Sequence, residues 1–486
     1  MRPFDPSDVW WRQAVLYQIY PRSFQDSNSD GIGDLEGVRE RLDYLVELGV
    51  DGLWMSPIYP SPLADGGYDI SDYTGIHPEL GTLEIFESLV ADAHARGLRV
   101  ILDLVPNHTS LEHPWFRQHP DWYVWSDRDG PANNWLSAFG GPAWSRDEQS
   151  RAWYLHSFYR EQPDLNWRLP EVREAVSDVI GVWVDRGVDG FRVDAVDRLS
   201  KDAELRDDPP AHEPWLLPLP AEYATLHHIH SRNAPGIGDV LSTLRAAAGG
   251  TFLVGEVFRP TGELALYLEH FDAVFAFEFM FCPWRPPDLA RVVAPVSELG
   301  RVAWVLGNHD FSRLATRLGE ENTRLAAMLL LTLPGPVFIY QGDELGMVDG
   351  PPGDRWDRAG RDMARHPMQW EPTKSGGFTR GTPWLPAIDP EQRNVRDQLA
   401  DPTSVLSLYR NLLRLRRQLS GAFELEEADQ TWLAFRRGSH RIRLNFSDDP
   451  RPMPDDGSIV IQTHPVDDQN LAPHSGVILK TGVDCT

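Results

Sequence analysis

Short apolar runs recur along the chain, each about the length of a buried strand: Val15–Tyr20, Gly52–Ser56, Arg99–Val105, Gly190–Asp194, Thr251–Glu256, Asp272–Phe277, Val302–Asn308 and Pro336–Gln341. Between them lie stretches with apolar residues at helical spacing. In 35–48 these are Leu35, Val38, Leu42, Leu45 and Val46, and the same period marks 83–96 and 171–186. Eight near-continuous apolar strands alternating with amphipathic helices predict an α/β fold, a (β/α)₈ barrel with parallel strands.

Two intervals break the pattern. Residues 105–169 are rich in Trp, Pro, Gly and Asn and contain no barrel helix, which predicts an inserted subdomain after the third strand. Residues 342–401 form a second long Gly-, Pro- and Arg-rich connection, and loops of that length in a compact domain usually carry function. Near Gly421 the pattern turns to short alternating segments, 432–436, 441–445 and 459–462. The expected organisation is a barrel from 1–104 and 170–415, the insertion 105–169, and a β-rich C-terminal domain over 416–486.

Composition narrows the function. The chain has 486 residues, 41% hydrophobic and 24% charged, enough for a large core. A net charge of −26 argues against nucleic acid and anionic membranes, which reward clustered Lys and Arg, and suits neutral or cationic small molecules. No apolar run approaches the length of a membrane span. The start, Met1-Arg2-Pro3-Phe4-Asp5-Pro6, lacks the apolar core of a signal peptide. The two cysteines, Cys282 and Cys485, form neither a disulfide framework nor a zinc motif, so a cytoplasmic protein is expected. Eighteen tryptophans are many, and aromatic planes stack well on the apolar faces of sugar rings.

In such a barrel, catalytic groups sit at the C-terminal ends of the strands. Strand three runs into Asp103-Leu-Val-Pro-Asn107-His108, strand four into Gly190-Phe-Arg192-Val-Asp194, strand five into Gly255-Glu256 and strand seven into Asn308-His309-Asp310. Two carboxylates in unlike environments are what glycoside hydrolysis needs, and a third can hold sugar hydroxyls.

DLVPNH (103–108), GFRVD (190–194), VGE (254–256) and GNHD (307–310) resemble the four signature regions of the α-amylase superfamily, glycoside hydrolase family thirteen. GLWMSPIYPSP (52–62) and QPDLNW (162–167) agree with two further signatures of that family. The resemblance implies Asp194 as nucleophile, Glu256 as general acid/base and Asp310 as the third acid, with retention of anomeric configuration. Arg192 shares a strand face with Asp194 by the two-residue period and can hold it ionised. His108 and His309 would bind hydroxyls of the ring beside the cleaved bond. Catalysis would need no cofactor.

DGGYDISDY (65–73) resembles the α-glucosidase and oligo-1,6-glucosidase branch, where Asp65 and Tyr68 would close the site around a terminal glucose. Arg365, in ARHPMQW (364–370), matches the arginine that pairs with that aspartate, although His366 stands where the branch has threonine. Ala195 after the nucleophile implies a preference for α-1,4 bonds, and FGGPAW (139–144) and YLHSF (154–158) imply that Phe139 and Phe158 line the pocket. The loop Asp26-Ser-Asn28-Ser-Asp30-Gly-Ile32-Gly-Asp34 begins like an EF-hand but has Gly37 at position twelve. It resembles the single-cation loop of this branch, with Asp26, Asn28, Asp30, the Ile32 carbonyl and Asp34 around a structural Ca²⁺ or Mg²⁺. The expected ligands are small α-glucosides; oligomeric state is left open. Two rival readings are a transferase or isomerase on the same barrel (trehalose synthase, sucrose isomerase or sucrose phosphorylase type) and a non-catalytic relative, disfavoured because the acids are kept.

Overall fold

The computed structural model describes residues 9–212, 220–352, 357–453, 457–465 and 470–481. Met1–Pro6 and Cys485, used above for compartment, lie outside these residues.

Eight parallel strands close a barrel in chain order: β1 Val15–Ile19, β2 Gly52–Met55, β3 Arg99–Leu104, β4 Gly190–Val193, β5 Phe252–Gly255, β6 Ala273–Phe275, β7 Val302–Val305 and β8 Val337–Tyr340. β8 returns to β1, with Val15 opposite Val337. Alternation along each strand sorts side chains between two cores. Leu16, Trp54, Ile101, Phe252, Val254, Ala273, Phe275, Ala303, Val305 and Phe338 fill the barrel, plugged by Trp11. Their neighbours Val15, Tyr17, Leu53, Val100, Leu102, Leu253, Val274, Trp304 and Ile339 pack outward against the helices.

This parity also aims the chemistry. β4 sends Phe191 and Val193 outward, which leaves Gly190 and Arg192 facing in, and the Arg192 guanidinium lies 5.2 Å from the Trp54 ring centre. Asp103 follows Ile101 in phase, and Glu256 follows Val254. The same two-residue step that buries the barrel's apolar layer therefore delivers one cation and two acids to its mouth.

Helices Leu83–Ala95 and Pro170–Asp185 follow the predicted pattern, the first capped by Thr82, whose hydroxyl accepts from the Ile85 N–H. The predicted single helix over 35–48 is two, Leu35–Glu40 and Leu42–Leu48. The break is at Arg41 (φ −103°, ψ 8°), whose side chain is tied to Gln25 and lies over Trp370 at 4.2 Å. Inside 105–169 an antiparallel pair, Trp144–Arg146 with Trp153–Leu155, packs on its own small core of Val124, Trp135 and Trp144. The 342–401 connection is mostly irregular, with a short 3₁₀ turn at Arg361–Ala364. After the helix Val405–Arg416 a five-stranded antiparallel sheet forms, in the order Glu424–Ala428, Trp432–Arg437, His440–Asn445, Ser475–Lys480, Ser458–Gln462. Among the described residues no helix is long and apolar enough to cross a membrane.

Candidate active site

The mouth of the barrel is organised around one buried guanidinium. Arg192 Nη1 donates to Asp103 Oδ1 and Asp194 Oδ1, both at 2.7 Å, and Nη2 reaches Glu256 Oε1 at 2.5 Å. One positive charge serves three buried carboxyls, so they cannot all ionise freely. Burial pushes Glu256 up to about 8; Arg192 opposes this, while the charges of Asp194 and Asp310 reinforce it. Asp194 and Asp103 are raised in the same way and by the same cause, with Arg192 holding them down. Asp310 goes the other way: despite burial, the Arg361 and Arg365 guanidiniums beside it keep it below the ordinary carboxylate range.

Ala195, directly after Asp194, is left-handed (φ 47°, ψ 42°), a conformation that costs a non-glycine residue about 1–2 kcal/mol. The turn points its N–H at Glu256 Oε2, 2.9 Å away. The residue expected to report linkage thus also grips the proposed acid through its backbone.

His309 is locked and neutral. The Gln18 amide donates to Nδ1 at 2.7 Å, so Nε2 carries the proton toward the Tyr68 hydroxyl at 2.7 Å, which in turn donates to Asp103 at 2.8 Å. Burial lowers His309 to about 3 and His108 to about 4. Tyr68 stacks on His309 with ring centres 5.4 Å apart.

A cavity of about 940 Å³ opens over these groups. Of the expected residues, Asp65, Tyr68, His108, Phe139, Phe158, Asp194, Ala195, Glu256 and Asp310 line it. Arg192 and His309 lie behind its wall, 1% and 0% exposed.

Arg365 needs correction. Asp65 pairs with Arg361, at 2.5 Å, and Arg361 also reaches Asp310 at 3.2 Å and Asp357. Arg365 is buried behind the wall, donating to the His309 carbonyl at 2.9 Å and approaching Asp310 at 3.4 Å. The two arginines are four positions apart, about one helical turn, and the ARHPMQW motif begins at Ala364, past Arg361. His366, the departure from the branch pattern, bonds the Pro386 and Pro351 carbonyls and is remote from the Asp65 pair. Other residues missed from sequence are Asp103, legible from its phase with Ile101, and the cavity-lining Arg198, Phe258 and Phe311, which fall outside every motif.

The loop 26–34 offers hard oxygen donors suited to Ca²⁺ or Mg²⁺. They face the loop's own amides: Asp26 accepts from the N–H groups of Asn28, Ser29 and Gly31 and from the Thr379 hydroxyl, and Asp34 from Gly37 and Ser27. Asp30 accepts from the Ile32 N–H and the Asn28 amide. Among the described residues no group of three or more His, Cys, Asp or Glu is arranged to hold a metal. The donor chemistry fits a cation; the present arrangement does not converge on one.

The charge pattern sets a pH profile. An acid at Glu256 works only while protonated, so kcat/KM should fall as pH rises through about 8. Protonation of Asp194 should remove activity on the acid side. Glu256→Gln should erase the alkaline limb; an unchanged limb would assign that ionisation elsewhere.

Residues 18–422 match the family described as Alpha amylase, catalytic domain, and residues 420–478 match a domain of unknown function (DUF3459). A probable alpha-glucosidase of Rhizobium meliloti (strain 1021) is 40% identical over 499 residues, covering 92% of this chain and 91% of that protein. An oligo-1,6-glucosidase of Parageobacillus thermoglucosidasius is 36% identical, covering 87% of each. The trehalulose synthase MutB of Pseudomonas mesoacidophila MX-45 superposes with a TM-score of 0.89 at 31% identity, over 98% of this chain and all of that one.

Proposed function

The chain belongs to the α-amylase family, and from that premise we propose that it is a retaining, exo-acting α-glucosidase that releases glucose from the non-reducing end of short α-glucosides. Asp194 attacks the anomeric carbon from the β face while Glu256 protonates the leaving oxygen. Glu256, now ionised, then takes a proton from water, which attacks the glucosyl-Asp194 ester and gives α-glucose. Arg192 favours the ionised form of Asp194 against the burial that raises it. Neutral His108 and ionised Asp310 bind hydroxyls that tighten on the oxocarbenium-like transition state, and His309, behind the wall, orients the Tyr68 hydroxyl rather than touching the sugar. Retention is what the double displacement through Asp194 entails, with Asp194 and Glu256 held on the two terminal nitrogens of one guanidinium.

The observation that carries exo action is the Asp65–Arg361–Asp310 chain of ion pairs, which closes one side of the cavity beside the acids. A terminal glucose can present its hydroxyls to this bridge; an internal residue of a long glucan would need the space it occupies. Ala195 favours α-1,4 bonds. The test is a product analysis on maltose, maltotriose, isomaltose, sucrose and trehalose. Glucose from the non-reducing end, with maltose preferred over isomaltose, is expected. Internal cleavage of long glucans, or inertness toward all short α-glucosides, would reject the reading. The likeness to MutB supports a second reading, glucosyl transfer or isomerisation, and sucrose converted mostly to an isomer with little free glucose would favour it.

A structural Ca²⁺ or Mg²⁺ held by Asp26, Asn28, Asp30, Asp34 and the Ile32 carbonyl belongs to the same proposal, resting on donor chemistry alone. It would brace the loop, and no reaction step passes through it. A melting temperature unmoved by chelator or added Ca²⁺ would reject it. The cytoplasm suits a chain whose Cys282 is a buried free thiol.

A further inference from the structure

Charge is unevenly spread around the cavity. Every carboxyl beside the reacting centre contacts Arg192, Arg361 or Arg365. The rest of the wall carries three more arginines, Arg198, Arg232 and Arg317. Among the described residues Arg232 is ion-paired with Asp197, and Asp343 and Asp349 act on the charge of Arg317 without touching it; Arg198 makes no ion pair. Arg198 is 6% exposed, yet its hydrogen-bond partner is the Tyr223 hydroxyl at 2.8 Å, and it lies 4.9 Å from the Phe158 ring centre. Arg317 donates to the carbonyls of Met280 and Leu306, and its Nε has no partner among the described residues.

A buried guanidinium without a counter-charge is costly, and a bound anion removes that cost. Phe258, Phe281 and Phe311 line the same cavity, and their apolar surface thins the water that would otherwise weaken such a contact. Arg198 is also close to the reaction: the left-handed turn at Ala195 starts the 3₁₀ segment Val196–Arg198, so it follows Asp194 by a single turn. The Phe158 it covers meets His108 edge to face at 5.2 Å. The bulk charge of −26 favours neutral or cationic ligands, so this patch runs against the rest of the molecule.

We infer that the leaving-group side of the cavity accepts α-glucosides whose aglycone carries a carboxylate or phosphate, with Arg198 binding the anion. This rests on the glucosidase reading above.

The test uses the full chain and matched substrate pairs: α-glucosyl glycerate against α-glucosyl glycerol, and the α-1,4-glucoside of glucose 6-phosphate against maltose. At least one anionic member should exceed its neutral partner in kcat/KM by about tenfold or more, the scale of one charge-assisted hydrogen bond. Which pair responds tells carboxylate from phosphate, and either supports the inference. Arg198→Gln should bring the ratio close to one and Arg198→Lys should keep part of it. Equal or better turnover of the neutral members by the wild type, or a preference that survives Arg198→Gln, would overturn it. If 4-nitrophenyl α-glucoside and all four substrates are inert, the glucosidase reading itself fails; neutral turnover without an anionic preference sinks only the anion site.

Discussion

Asp194→Ala should lower kcat on maltose by about 10⁴-fold or more, the scale of losing a nucleophile from a double displacement. The fold should survive, because Arg192 keeps Asp103 and Glu256 as partners. Chemistry also predicts a rescue. With the β-face carboxylate gone, azide can enter from that side and leave with glucose as the β-azide, formed with inversion. A loss below tenfold on maltose, or rescue giving only the α-azide, would remove Asp194 from the nucleophile's role.

Glu256→Gln should cost about 10²–10⁴-fold on maltose, the usual range for a general acid, and much less on an aryl α-glucoside whose leaving group needs no proton. That difference between substrates separates an acid from a residue that only shapes the pocket. Glu256 accepts from both the Ala195 N–H and Arg192. Glutamine offers one acceptor oxygen, so one donor goes unmet, at about 1–3 kcal/mol of stability. Equal losses on the two substrates would argue against the assignment.

The barrel was legible because a parallel sheet covered on both faces writes itself as short apolar runs; all eight appear as strands, seven within a residue or two of their predicted ends and the seventh ending at Val305, three residues before the expected Asn308. Three strands of the C-terminal antiparallel sheet were legible from alternation; Glu424–Ala428 and Ser475–Lys480 were not. The acids were legible because parity and strand ends leave few positions where they can meet. What escaped notice came from places where periodicity carries no information or misleads. Arg41 splits a helix whose apolar spacing runs straight through it. Arg361 and Arg365 both sit in an irregular segment, where sequence motif alone gave no measure of which arginine reaches Asp65. Arg198, Phe258 and Phe311 come from separate loops that only the closed barrel brings together.

The proposed reaction turns on a covalent glucosyl ester on Asp194. A slow-turnover fluorinated substrate such as 5-fluoro-α-glucosyl fluoride, followed by intact-mass and peptide mapping, tests it directly. One added fluoroglucosyl group per chain is expected, on the peptide containing Asp194 and lost with time in water. Label on another residue, or no adduct together with β-glucose as the first product from maltose, would contradict it.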